Sequence, residues 1–179
     1  MKQVLDVCCG SRMFWIDRSD NRAVFVDQRV ESHVLPDVSS AGGSRTLIIS
    51  PDIQADFTRL PFKSDYFAQV VFDPPHFDNV GPKSWIGKKY GKLSGDWPDM
   101  IRRGFIECFR VLAPNGTLIF KWCDYQIPLS KVIELSPISP LFGNNKPSNS
   151  KTHWLSFIKP ADYNNTAASM ATLPLFATY

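Results

Sequence analysis

Val70-Val71-Phe72-Asp73-Pro74-Pro75-His76 is the stretch of this chain best suited to chemistry. Three apolar residues that favour a buried strand run directly into a carboxylate. The two prolines that follow cannot continue a strand ladder, and they hold the backbone extended and stiff. A carboxylate at a strand's end, a rigid backbone with open carbonyls and a flat ring can together hold a planar amino group, accepting its two hydrogens and stacking on its face. The plainer reading of Asp73 is a capping acid at a strand-to-loop turn.

Acids recur at the ends of other predicted strands. Val4 to Cys8 reads as a short buried strand containing Asp6, and it runs into a small-residue loop at Gly10, which can take a positive φ or admit a ligand closely. Ala23-Val24-Phe25-Val26 forms a second strand closed by Asp27. The 21-residue interval from Asp6 to Asp27 is close to the ~20 residues that separate the first strand of a nucleotide-binding βαβ unit from its ribose-binding acid. The alternative for Asp27 is a solvated turn acid. Asp52 to Phe57 is a third strand carrying Asp56, and Tyr66 to Phe72 is the fourth, leading into Asp73.

Around these lie the supporting segments. Ser11 to Asp17 suits a helix, although Met13 to Ile16 is continuously apolar. Residues 31–51, rich in Ser and Gly at their centre, suit a β-hairpin inserted on the sheet's edge. Residues 78–96 read as a polar, basic loop, with four lysines and no acid between Pro82 and Gly95. Asp96, Pro98 and Asp99 open a helix whose apolar positions Met100, Ile101, Phe105, Cys108, Phe109 and Leu112 recur at helical spacing. Pro114-Asn115-Gly116 is expected to stop it before a fifth strand, Thr117 to Phe120. A short helix near Pro128 to Leu135, the segment Ile138 to Phe142 and a last strand from His153 to Ile158 complete the pattern, and residues 160–179 read as a flexible tail.

Alternating strands and helices that end on two close strands favour a three-layer α/β sandwich, with a mostly parallel sheet and an antiparallel last strand. In such a sheet, Asp6, Asp27, Asp56 and Asp73 would line the edge beyond the strands' carboxyl ends, where ligands bind. The 179 residues, 44% of them apolar, suit one domain, and a net charge of +3 says little about partners. Four cysteines in a chain this long are no disulfide scaffold, and adjacent Cys8 and Cys9 suit neither a bridge nor a metal knuckle. They read as reduced thiols of a cytoplasmic protein. No apolar run approaches the ~20 residues that span a bilayer, and no signal peptide opens the sequence.

Taken in order, these features resemble the class I S-adenosylmethionine-dependent methyltransferases, across residues 2–159. Leu5-Asp6-Val7-Cys8-Cys9-Gly10 resembles the first motif, D/E-x-G-x-G, without its usual glycines. Asp27 resembles the acid on the cofactor ribose, and Asp56-Phe57 the pair beside the adenine. Val111 to Leu118 resembles the passage into strand five. Asp73-Pro74-Pro75-His76 resembles the D/N/S-P-P-Y/F/W signature of N6-adenine and N4-cytosine amino-methyltransferases, with histidine in place of the aromatic ring. The resemblance implies a Rossmann-like, seven-stranded sheet and S-adenosylmethionine as cofactor, with Asp6, Cys8, Gly10, Asp27, Gln28, Asp56 and Phe57 around it. It implies methyl transfer to an exocyclic amine at Asp73, Pro74, Pro75 and His76, without a metal.

The basic loop then becomes the substrate side. Lys83, Lys88 and Lys89 can neutralise phosphates, while Trp85, Tyr90 and the neighbouring Phe77 can stack on an unpaired base. The expected target is therefore a nucleic-acid base, adenine N6 in DNA or RNA. A protein amide or amine, a small molecule, or cofactor binding without turnover are the alternatives.

Overall fold

The computed structural model describes residues 3–37, 42–81, 84–93, 95–144 and 150–163. Strands β1 (Val4–Asp6), β2 (Ala23–Asp27), β5 (Ile53–Gln54), β6 (Phe67–Phe72), β7 (Leu112–Cys123), β8 (Phe142–Gly143) and β9 (Thr152–Ile158) form one sheet. Their spatial order is β5-β2-β1-β6-β7-β9-β8, parallel from β5 to β7, with β9 antiparallel to both neighbours. From β1 the chain builds outward through β2 and β5 on one side, then returns to place β6 and β7 on the other. This is the doubly wound Rossmann order, and the point of reversal lies between β1 and β6. The mostly parallel sheet with an antiparallel last strand is the expected one.

Register explains which residues form the core. Leu5, Val70, Leu118 and Phe157 are cross-strand partners, so they share one face of the sheet. Helix α2 (Trp97–Val111) covers that face with Ile101, Phe105, Cys108 and Phe109, all buried. The Asp96 carboxylate accepts the Asp99 N–H at 3.2 Å and caps the helix as its sequence requires. At Gly104 the helix comes so close that a Cβ would sit 2.6 Å from Phe72 and 2.8 Å from Phe57. A buried Lys159 closes the far end of the sheet, donating to Asp65 Oδ1 at 2.5 Å and to the Leu112 carbonyl at 2.7 Å.

Several expected boundaries differ. Residues 11–17 form turns, not a helix: their continuous apolar run has no single stripe, so Trp15 turns inward onto Phe25, with ring centroids 4.8 Å apart, while Ile16 stays exposed. This turn segment, not a helix, lies over the sheet face opposite α2. The third strand shortens to Ile53–Gln54. Strands β3 (Glu31–Pro36) and β4 (Ser44–Ile49) do pair as a hairpin, but as a two-stranded sheet of their own and not on the edge of the main sheet, because among the described residues they pair only with each other. Within the basic stretch, Trp85–Tyr90 is a helix, α1, whose last turn carries Lys88 and Lys89, where cations suit the helix dipole. Helix α2 ends at Val111 and β7 begins at once. Pro114-Asn115-Gly116 therefore lies inside β7 as an irregularity, with Asn115 at φ 61°. Helix α3 (Leu129–Ile133) falls where a short helix was expected, and β8 (Phe142–Gly143) shares only Phe142 with the segment expected at 138–142. Residues 160–163 fold back so that Tyr163 packs on Phe109 at 5.7 Å; the rest of the expected tail lies outside the described residues.

Candidate active site

Beyond the carboxyl ends of β1, β2 and β6 lies a cavity of about 250 Å3, lined by the loop after β1, Asp73, Pro74, His76, Arg29, Lys89, Tyr90 and Lys121. It sits at the switch point, where doubly wound folds bind their ligands. Asp73 and Pro74 follow β6 directly, so the strand's last hydrogen bonds hold the carboxylate in position.

Asp73 is partly buried, and its two oxygens are in different situations. Oδ2 accepts from Lys121 Nζ at 2.6 Å, whereas Oδ1 has no hydrogen-bond partner. Burial pushes the Asp73 carboxyl above its usual value, and the Lys121 charge and hydrogen bond pull it back. The Lys121 ammonium lies 5.8 Å from the ring centres of both Phe14 and Trp154. Lys121 was not among the expected residues. Phe72 pairs with Phe120 in parallel register, so the next residues, Asp73 and Lys121, emerge side by side. The alternation Ile119-Phe120-Lys121-Trp122 was the available signal, because it carries the strand past Phe120.

Asp6 lies behind Asp73, fully buried. Trp15 Nε1 donates to its Oδ2 at 2.7 Å, and the Cys8 N–H donates to Oδ1 at 3.3 Å. Desolvation, opposed by the Trp15 hydrogen bond and reinforced by the Asp73 and Asp27 charges, raises the Asp6 carboxyl to about 7. Burial also pushes the Cys9 thiol up to about 12 and Cys8 well above its usual value. All four cysteines are free, and Cys8 lines the cavity as a protonated thiol.

Gly10 adopts φ +49°, the left-handed conformation that glycine favours, and its N–H donates to Asp27 Oδ2 at 2.9 Å. The other Asp27 oxygen accepts from the Arg29 N–H at 2.9 Å and from Arg29 Nε at 3.2 Å. Arg29 Nη1 reaches on to the Lys88 carbonyl of α1 at 3.0 Å. Arg29 thus ties α1 across the end of β2, and the cleft beneath it, bounded by Gln28, Phe57, Pro75 and Tyr90, narrows to about 20 Å3. Phe57 is buried there against Phe72, while the exposed Asp56 carboxylate accepts the Thr58 N–H at 2.8 Å in its own turn.

His76 is buried in an aromatic group, with ring centres 4.5 Å from Phe77, 5.3 Å from Tyr90 and 6.0 Å from Trp122. Its Nδ1 has no hydrogen-bond partner. Burial, together with the nearby Lys121 charge, drives the imidazole down to about 4, so the ring is neutral at physiological pH. Phe77 packs behind His76 and does not line the cavity. Of the expected substrate residues, Tyr90 and Lys89 reach the cavity, Trp85 lines an adjoining groove and Lys88 offers its backbone to Arg29. Lys83 lies outside the described residues. Among the described residues no group of three or more His, Cys, Asp or Glu side chains could hold a metal, and no helix is long and apolar enough to cross a membrane.

No protein-family model matches this chain, and no curated protein matches it in sequence. Solved structures do match it, among them the following three. The PH0226 protein of Pyrococcus horikoshii OT3 is 17% identical with a TM-score of 0.51, over 88% of this chain and 81% of that one. A SAM-dependent methyltransferase of Leishmania major is 13% identical with a TM-score of 0.46, over 87% of this chain and 64% of that one. The N-methyltransferase NodS of Bradyrhizobium japonicum WM9 is 12% identical with a TM-score of 0.48, over 89% and 86%. At 17% identity the likeness to the Pyrococcus structure is one of fold alone.

Proposed function

We propose that this chain is an S-adenosylmethionine-dependent methyltransferase acting on an exocyclic amino nitrogen of a nucleic-acid base, with adenine N6 as the first candidate. The observation that carries the reading is Asp73, which lines a cavity at the switch point and whose Oδ1 is a buried oxygen with no hydrogen-bond partner. A buried acceptor of this kind has capacity for one further donor.

The residues present fit the cofactor. Gly10 and Asp27 meet at the ends of β1 and β2 as a ribose site requires, Phe57 offers a ring beside the narrow cleft, and the Asp73 carboxylate lines the adjoining cavity. Gln28 lines the cleft, and Asp56 is exposed beside the buried Phe57. S-adenosylmethionine, when bound, supplies a methyl group on a positively charged sulfur.

The chain's own residues then orient and polarise the amine. An exocyclic amino group is a weak nucleophile because its lone pair is delocalised into the ring. Asp73 Oδ1 accepts one N–H and the Pro74 carbonyl accepts the other, which localises the lone pair and stabilises the positive charge that grows on nitrogen. Pro75 stiffens the turn, and the flat rings of His76 and Tyr90 flank the base. Neutral His76 adds no competing positive charge beside that nitrogen.

The test is transfer of a labelled methyl group to DNA and RNA, followed by nucleoside mass spectrometry. N6-methyladenosine or its deoxy form is the expected product. Label in protein or in small molecules but not in polynucleotide overturns the base reading, and cofactor binding without transfer to any acceptor overturns the enzyme reading.

A further inference from the structure

A second depression adjoins the Asp73 cavity. It is a groove of about 350 Å3 between the β3–β4 hairpin and α1, within the size range of small-ligand sites. Ser11, Met13 and Lys89 line both spaces, so a ligand that fills one continues directly into the other.

The chemistry of the groove is specific. The Trp85 indole is 52% exposed, with Lys89 Nζ 5.2 Å from its ring centre. Across from it the hairpin contributes Ile48, an exposed apolar side chain, and Arg45, whose guanidinium lies 2.6 Å from Asp37 Oδ2. Arg18 lines it as well. Three cations against one acid make the lining net positive, and the half-exposed indole adds an aromatic surface beside Lys89. That combination suits an aromatic ring joined to an anion.

We propose that the groove between the β3–β4 hairpin and α1 is a subsite for the nucleotide next to the modified base, with that neighbour's base stacked on Trp85 and its phosphate held by Lys89 and Arg18. The inference rests on the nucleic-acid reading above and extends it: the substrate is an unpaired strand, with one base in the Asp73 cavity and its neighbour in the groove. It also gives the hairpin, an insertion between β2 and β5 that the sheet does not need, a role as the wall of the substrate path.

The experiment compares a fluorescein-labelled single-stranded 12-mer containing one adenine with adenosine monophosphate, using the full chain. Anisotropy with S-adenosylhomocysteine present gives affinity, and kcat/KM gives turnover. In Trp85→Ala, affinity for the 12-mer is expected to fall about 5- to 100-fold, in line with one lost base stack, and the preference for 12-mer over mononucleotide shrinks with it. In Arg18→Ala the slope of log affinity against log salt falls by about 0.7, as expected for one lost phosphate contact. Lys63, which lies over Tyr66 at the opposite end of the sheet, serves as the control, and Lys63→Ala is expected to bind as the wild type does. If the wild-type chain methylates the 12-mer but Trp85→Ala and Arg18→Ala match it, or Lys63→Ala weakens binding equally, the groove is not the subsite and the base reading stands. If the wild-type chain neither binds nor methylates any polynucleotide, both readings fall together.

Discussion

Lys121 Nζ lies 2.6 Å from one oxygen of Asp73, and the other oxygen of that carboxylate is buried without a partner. One side of the acid is therefore committed to holding its charge, and the other is left to accept. Removing the ammonium in Lys121→Met leaves burial unopposed, so the Asp73 carboxyl rises further. Because the ionised form is the working form, the acid limb of the pH profile of kcat/KM should move to higher pH in Lys121→Met and return towards its original place in Lys121→Arg. A uniform loss at every pH would mean that Lys121 only supports the fold.

Asp73→Asn retains the shape of the side chain but removes the charge that accepts the substrate N–H. Methyl transfer should fall by roughly 10²- to 10³-fold, the usual cost of removing one such stabilising group. Cofactor affinity, measured by calorimetry, should change little. Turnover near the wild-type rate would take Asp73 out of the mechanism.

Arg29 bridges Asp27 and the Lys88 carbonyl, so it closes α1 over the narrow cleft beside β2. Ribose hydroxyls must compete with that guanidinium for the Asp27 carboxylate. Arg29→Ala is expected to speed both association and dissociation of the cofactor several-fold in stopped-flow fluorescence. Unchanged rate constants would show that α1 does not gate the cleft.

Asp6 makes stability depend on pH. Its carboxyl holds a proton up to about 7 in the folded chain, against 3.8 for an ordinary aspartate. Between those values the folded state binds more protons than the unfolded one, so stability falls as pH rises from about 4 to about 7, by at most about 1.4 kcal/mol per pH unit. Denaturant titrations across this range should show the decline in the wild type and a flatter line in Asp6→Asn. Parallel lines would remove Asp6 as its source.

Gly104 is the point where α2 meets the sheet. Alanine is the better helix former by up to about 1 kcal/mol, but its Cβ would sit 2.6 Å from Phe72 and 2.8 Å from Phe57. Overpacking of that kind costs about 1–3 kcal/mol and should dominate. Gly104→Ala is therefore expected to lower Tm by several degrees, because about 2–4 °C follows each kcal/mol in a domain of this size. A raised Tm would mean that the helix moves away without penalty.

Much of the sheet was legible in the sequence because its information is local. Val70 to Phe72, Ala23 to Val26 and Thr117 to Phe120 favour strands by composition, and the acids that close the first two, Asp73 and Asp27, fall at one edge once the strands are parallel. Asp96 with Pro98 and Asp99 marked the start of α2 for the same reason: capping depends on neighbours within one turn. Segments whose fate depends on distant partners were misread. Trp15 leaves its apolar run because Phe25 and Asp6 offer it a ring and an acceptor, and Leu112 leaves the helix because β6 offers it a strand partner in Phe67.

The same division holds within the candidate site. Sequence alone determined that Asp73-Pro74-Pro75 ends a buried strand with a carboxylate and a stiff turn, since strand propensity and proline geometry act within a few residues. Only the tertiary structure decided which oxygen of Asp73 remains to accept, because Lys121 lies 48 positions away and arrives through the parallel register of β6 and β7. It likewise set Arg29 between Asp27 and α1, and it joined the hairpin to α1 as one groove. Electrostatics at the site depends on distance and burial, and both are products of the folded chain.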